Sequence, residues 1–185
     1  MSRIERLIQN YKRFLSVNPW DKQIAGAQKI WFAVYDKTDE RKLRVQLDEF
    51  ELATKAEGHT WKTVDVTNEF ADWMASLEYR EIYFENPGDL EMTLAEFEIH
   101  VGNRIKKELD SASENTVVAI HGIASLYAFL KVSNLMNKVQ SSVKGRLLVF
   151  FPGEYEKGVY RLLDARDGWN YLALPITTQE GILSA

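Results

Sequence analysis

Residues 116–140 read TVVAIHGIASLYAFLKVSNLMNKVQ, and residues 145–176 read GRLLVFFPGEYEKGVYRLLDARDGWNYLALPI. This stretch decides the fold class. Residues 117–120 and 147–151 are short, continuous apolar runs rich in Val, Ile, Leu and Phe, as expected of strands buried on both faces. Between them apolar residues recur at helical spacing from about Ala124 to Gln140, and Gly145 stops the helix. Each strand ends in a Gly-containing turn, at Gly122 and at Pro152-Gly153. Strand, helix and strand in that order make a parallel unit, with a natural ligand position where the strands end.

Outward from that unit the pattern repeats. Ser2-x-x-Glu5 reads as a capping box, and Ile4, Leu7, Ile8, Tyr11, Phe14 and Leu15 follow as one apolar stripe. Asn18-Pro19 ends this helix, which packs more readily on its own body than on a partner. Residues 29–35 (KIWFAVY) read as a buried strand, residues 39–56 as a helix with Leu43, Leu47 and Phe50 inward, and residues 60–66 (TWKTVDV) as a second strand. A short helix carries Phe70, Trp73, Met74 and Leu77. Residues 78–90 fit a strand or a helix end, with a turn at Pro87-Gly88. Thr93-x-x-Glu96 reads as a second capping box, opening a helix with Leu94, Phe97, Val101, Ile105 and Leu109 inward. Residues 158–165 read as a strand or hairpin arm, and residues 171–176 as a final strand.

The expectation is an α/β fold: a single three-layer domain over residues 1–185, opened by an amphipathic helix over residues 1–18. Its largely parallel sheet has about five strands and is covered by helices on both faces. The C-terminal stretch is free to add an antiparallel edge.

Composition narrows the function. The chain has 185 residues, enough for a sizeable core, and five Trp, eight Tyr and nine Phe to fill it. With no Cys, it forms no disulfide, thiolate metal site or cysteine nucleophile. No apolar run approaches the roughly 18 residues of a membrane span, and the first residues lack the apolar core of a signal peptide. The expected location is the cytoplasm. The net charge of −4 is unevenly spread: residues 67–114 carry twelve acids against Arg80, Arg104, Lys106 and Lys107. Such a surface repels phosphate, which disfavours direct nucleic-acid binding, and suits a basic protein partner. Its plainer meaning is a solvated helical face. A small basic set, Lys131, Lys138, Lys144 and Arg146, keeps an accessory nucleic-acid role in view.

Little in the chain announces catalysis. The turn His121-Gly122-Ile123-Ala124-Ser125 has one glycine and no nearby lysine, so it is no Walker loop, although a degenerate nucleotide-binding fold that senses a ligand is a second reading. Glu96 and His100 lie four apart, and His121 could join them as a metal ligand, but no ligand signature is present. Asp36 and Asp65 stand at strand ends, where paired carboxylates could work on a substrate, although turns and caps are their commoner duty. Ser125 lacks a nucleophile elbow, and His121 would have to serve as its base. The expected sets of catalytic, cofactor-binding and metal-binding residues are therefore empty. In the loop FPGEYEKG (residues 151–158), Tyr155 with Tyr160 and Arg161 could form a protein-contact patch.

The same stretch resembles the BrxB family, a small component of bacterial BREX phage-exclusion systems. The resemblance rests on Gly122, Tyr127-Ala128-Phe129, the segment from Asn134 to Asn137, Phe150-Phe151-Pro152-Gly153-Glu154-Tyr155, Arg161-Leu162 and Asn170-Tyr171. It departs from the family pattern at Ala128, where relatives often carry Pro, and at Lys131-Val132-Ser133, where they often carry an Arg-Ser-His cluster. The resemblance implies a non-enzymatic adaptor or structural subunit in contact with larger components of such a system, PglZ-like, BrxC-like or PglX-like proteins. The expected contact residues are Tyr127, Lys131, Asn134, Pro152, Gly153, Glu154, Tyr155, Tyr160 and Arg161.

Overall fold

The computed structural model describes residues 1–18, 20, 24–165 and 168–179. Five strands, β1 (Ile30–Tyr35), β2 (Thr60–Asp65), β3 (Thr116–His121), β4 (Arg146–Glu156) and β7 (Leu174–Ile176), lie in the order β2-β3-β4-β1-β7. All four pairings along that path are parallel. β4 runs past the sheet, and its end pairs antiparallel with β5 (Val159–Leu162), which pairs antiparallel with β6 (Trp169–Asn170). The antiparallel part is thus this curl, whereas the final strand continues the parallel run.

Every residue of β1 and β3 is buried. Only a sheet covered on both sides needs strands apolar at successive positions. The alternation sorts them. Ile30, Phe32 and Val34 face one core with Val118, Ile120, Val149 and Phe151. Trp31, Ala33 and Tyr35 face the other with Val117, Ala119, Leu148 and Phe150. The first core is closed by α4 (Glu69–Ser76), α6 (Leu94–Asp110) and α7 (Val132–Val139). The second is closed by α1 (Arg3–Val17), α2 (Glu40–Val45) and α3 (Leu47–Ala56). β2, at the edge, keeps only Val64 fully buried, which matches its alternating sequence.

α1 forms as its sequence dictates. Ser2 Oγ accepts from the Glu5 amide, and the Glu5 carboxylate accepts from the Ser2 amide. The six residues of its apolar stripe, Ile4 to Leu15, are all buried, each contributing about 1.5–3 kcal/mol when fully removed from water, and of its apolar residues only Val17, at its end, is exposed. Arg3 fastens the first turn to the body, 3.2 Å from Asp36 and 2.6 Å from the buried Asp39. The helix ends at Val17, and Pro19 lies outside the described residues.

Three elements differ from expectation. The helix expected over residues 39–56 is divided at Gln46, whose φ of −112° and ψ of 14° leave the helical well. The segment 78–90 forms a short helix, α5 (Arg80–Glu85), followed by a 3-10 helix, Pro87–Thr93. Because that 3-10 helix runs directly into α6, Thr93 stays near helical dihedrals and makes no side-chain cap; its hydroxyl donates to the Leu90 carbonyl (2.9 Å) instead. The helix expected from Ala124 to Gln140 is the most altered. A 3-10 turn (Ile123–Leu126), a hydrogen-bonded turn in which the Phe129 and Leu130 amides donate to the Leu126 carbonyl, and α7 replace it, with Ala128 in the left-handed region at φ 71°.

Candidate functional site

The carboxyl ends of β1, β2 and β3 bring Asp36, Asp65 and His121 to one edge. The two carboxylates are engaged locally, whereas the buried His121 Nδ1 has no hydrogen-bond partner. Asp36 Oδ1 accepts from the Thr38 amide (2.9 Å), and Asp65 Oδ1 accepts from the Thr67 amide (2.9 Å). Both carboxylates therefore serve turns. His121 Nδ1 lies 3.5 Å from Asp65 Oδ1. Burial holds the ring below its ordinary pKa, although Asp65 pulls the other way. Burial alone would raise the Asp65 carboxyl, but the Thr67 hydroxyl and amide, with His121 and Arg44, bring it below its ordinary value. Arg44 bridges the edge, donating to Glu40 (2.7 Å) and to the Thr67 hydroxyl (3.0 Å). The Tyr35 hydroxyl donates to Glu40, and burial first, then that bond, raises its pKa far above the ordinary range.

Gly122 closes the same edge at φ 85°, and a Cβ there would stand 2.3 Å from Thr67 Oγ1 and 3.0 Å from Asp65 Oδ1. The bend is thus packed against a carboxylate, a poor neighbour for phosphate. The Ser125 hydroxyl lies 2.8 Å from the Gly122 carbonyl and 3.1 Å from the Val66 carbonyl. Its proton goes to backbone acceptors. His100 pairs with Glu69 (3.1 Å), not with Glu96, and among the described residues no group of three or more His, Asp or Glu could hold a metal ion.

The expected contact residues are divided by the fold. Tyr127, Lys131 and Asn134 come together on the rim of a groove of about 740 Å³, walled by Leu94, Phe129, Leu162 and Trp169. Phe129 is set by a parallel stack on Phe70, with ring centroids 3.8 Å apart. Asn134 Nδ2 donates to Glu98 across the groove (3.4 Å). Glu98 and Trp169 were not legible as members of this site, because they come from distant segments that only the tertiary fold joins. Glu154 and Arg161 face each other across the β4–β5 pair, 3.8 Å apart and largely exposed. Tyr155 lines a second cavity of about 990 Å³ with Phe14, Asn137 and Tyr171.

Three of the expected contact residues are structural. Tyr160 is fully buried: its ring packs edge-on against Phe32 at 4.6 Å, and its hydroxyl donates to the Ala173 carbonyl at 2.7 Å. Alternation along β5 turns Tyr160 inward and Arg161 outward, so the two cannot share a surface patch. Pro152 is buried and accepts from the Leu163 amide through its carbonyl (2.8 Å). Gly153 is where a Cβ would meet the Arg161 carbonyl at 2.1 Å, which makes the close β4–β5 crossing possible.

The basic set is dispersed as well. Arg146 is buried, its guanidinium over the Trp20 ring at 4.6 Å. Lys138 pairs with Glu98 (3.3 Å), and Lys144 donates to the Asp110 carbonyl. Of the four, Lys131 is the one that reaches the groove. Among the described residues no helix is long and apolar enough to cross a membrane.

Comparison with known proteins matches the chain to a family. The sequence model of a family described as BREX protein BrxB covers residues 63–175, from the middle of β2 into β7. That span includes the groove and every expected contact residue. No curated protein and no solved structure matches the chain.

Proposed function

The chain belongs to the BrxB family and so to the components of BREX anti-phage systems, and from that premise we propose that it acts as a non-enzymatic adaptor, joining larger components through protein contacts in the cytoplasm. One contrast carries this reading. Asp36, Asp65 and Ser125 at the carboxyl edge are engaged by their own turns, while the apolar-walled groove beneath Tyr127, Lys131 and Asn134 is open. An aromatic beside a cation and an amide, over an apolar floor, is the composition of a contact hot spot. The partners proposed are PglZ-like, BrxC-like or PglX-like proteins of the same system.

The test is capture of a tagged chain from cells making the whole system, at moderate salt. Recovery of one of those proteins in proportion to the bait is expected; emergence of the chain alone removes the reading. Tyr127→Ala with Lys131→Glu should lower recovery about tenfold or more, with an unchanged circular dichroism spectrum because both side chains are exposed. The ligand-sensing alternative is tested by thermal unfolding with ATP, GTP and magnesium. Ligand at ten times its dissociation constant would stabilise the fold by about 1.4 kcal/mol, and no such shift is expected.

A further inference from the structure

The segment around α5 differs from the rest of the acidic middle. Neither α5 nor the 3-10 helix Pro87–Thr93 contains a buried residue. The half-buried Leu77, Tyr83 and Leu90 fasten this arm to the core that α4, α6 and α7 enclose. Outward it leaves Tyr79 (65 % exposed), Ile82 (48 %), Phe84 (68 %) and Met92 (81 %). Single exposed apolar side chains are ordinary, but four large ones lie along one short arm; on α5, Ile82 and Phe84 stand on opposite flanks of the inward Tyr83, and Glu81 and Glu85, one turn apart, take the outer face. Around them stand Glu78, Glu81, Glu85, Asp89 and Glu91, all exposed. The one cation among them, Arg80, donates to the Ala75 carbonyl (2.6 Å) and lies 3.4 Å from Glu81.

We propose that this arm docks a lysine- and arginine-rich amphipathic segment of another protein. The apolar side chains of that segment pack on the exposed Ile82 and Phe84 flanks and on Met92, and its cations meet Glu81 and Glu85 between those flanks. Charge selects the occupant. An anionic membrane or a nucleic acid would face the same five carboxylates and be repelled. A second copy in a two-fold contact would set like charge against like charge. The inference rests on the adaptor reading only in taking the protein to work by contact, and it names a face other than the groove.

Two double variants test it: Phe84→Ser with Met92→Ser, and Glu81→Lys with Glu85→Lys. All four side chains are exposed, so the circular dichroism spectrum and Tm should match wild type. The first probe is a fluorescein-labelled amphipathic peptide of leucine and lysine, followed by anisotropy. Binding that weakens with added salt, and is at least about tenfold weaker for each variant, is expected. No binding, or equal binding by all three proteins, overturns the proposal whatever the groove does. The second is capture from cells making the whole system. Equal capture by wild type and both arm variants removes the arm while leaving the adaptor reading intact. Loss with the arm variants, but not with Tyr127→Ala, supports the arm as a contact in its own right. Concentration-dependent dimerisation that Phe84→Ser with Met92→Ser abolishes would assign the arm to a second copy and overturn the proposal.

Discussion

Gly58 and Gly122 share a backbone conformation, at φ 82° and 85°, and differ in everything around it. A Cβ at Gly58 would meet nothing within 4 Å. Alanine there should cost only the backbone term, about 1 kcal/mol. At Gly122 the added carbon meets the Asp65–Thr67 turn, and Gly122→Ala should cost about 3 kcal/mol or more. The denaturation midpoints of the two variants would separate the contributions. The glycine itself was visible in the sequence, but the reason for it was not, since Thr67 reaches it only through β2–β3 pairing. The adjacent His121 predicts a pH effect. Its folded pKa lies below the ordinary 6.5 because the ring is buried. As pH falls through about 6.5 the unfolded ring takes a proton that the folded ring resists, so stability drops with acidification, then levels off once the folded ring also titrates. Asp65, lowered from its ordinary 3.8, contributes stability present above that value and lost as pH falls below it. His121→Gln should flatten the first loss, read as stability against pH between about 7 and about 5, and leave the part of the second that the Thr67 hydroxyl and amide supply.

Between elements, α1 is held to α3 by a buried pair, the Tyr11 hydroxyl and Thr54 Oγ1 at 2.7 Å, with Thr54 also donating to the Phe50 carbonyl at 2.8 Å. The two sides are unequal. Tyr11→Phe leaves Thr54 a partner and should cost about 1 kcal/mol, whereas Thr54→Val strands a buried hydroxyl and should cost about 2. Equal losses in urea titrations would contradict this account. α1 was legible in full, because its cap and its 3.6-residue stripe are local signals. The segment from Ala124 to Gln140 was not. Leu126, Leu130, Leu135, Met136 and Val139 are compatible with one continuous helix. The break comes from tertiary structure: Phe129 stacks on Phe70 of α4, and Ala128 takes a left-handed turn to allow it. A proline, fixed near φ −65°, could not stand at Ala128 in this path. The groove is made by that break, which is why its three rim residues could be named from the sequence while its shape could not.

For the whole molecule, two covered faces and a parallel sheet followed from composition and alternation, whereas strand order did not, because pairing partners leave no mark in a single sequence. The curl of β4, β5 and β6 is joined to the sheet through aromatic rings: Phe32 meets Phe151, Tyr160, Trp169 and Tyr171. Tyr160→Ala should therefore destabilise the fold by about 3–5 kcal/mol, and Tyr160→Phe by about 1. Calorimetry with near-ultraviolet dichroism would read both, and a Tyr160→Ala protein as stable as wild type would contradict this role for the ring. The order of strands has a further consequence during synthesis. Ile30 pairs with Leu147, and Trp31 with Leu174. The ribosome therefore delivers the most apolar strand early and both of its neighbours late. Through most of translation β1 has no hydrogen-bonding neighbour on either side, so the nascent chain offers chaperones a waiting hydrophobic segment that the finished protein conceals.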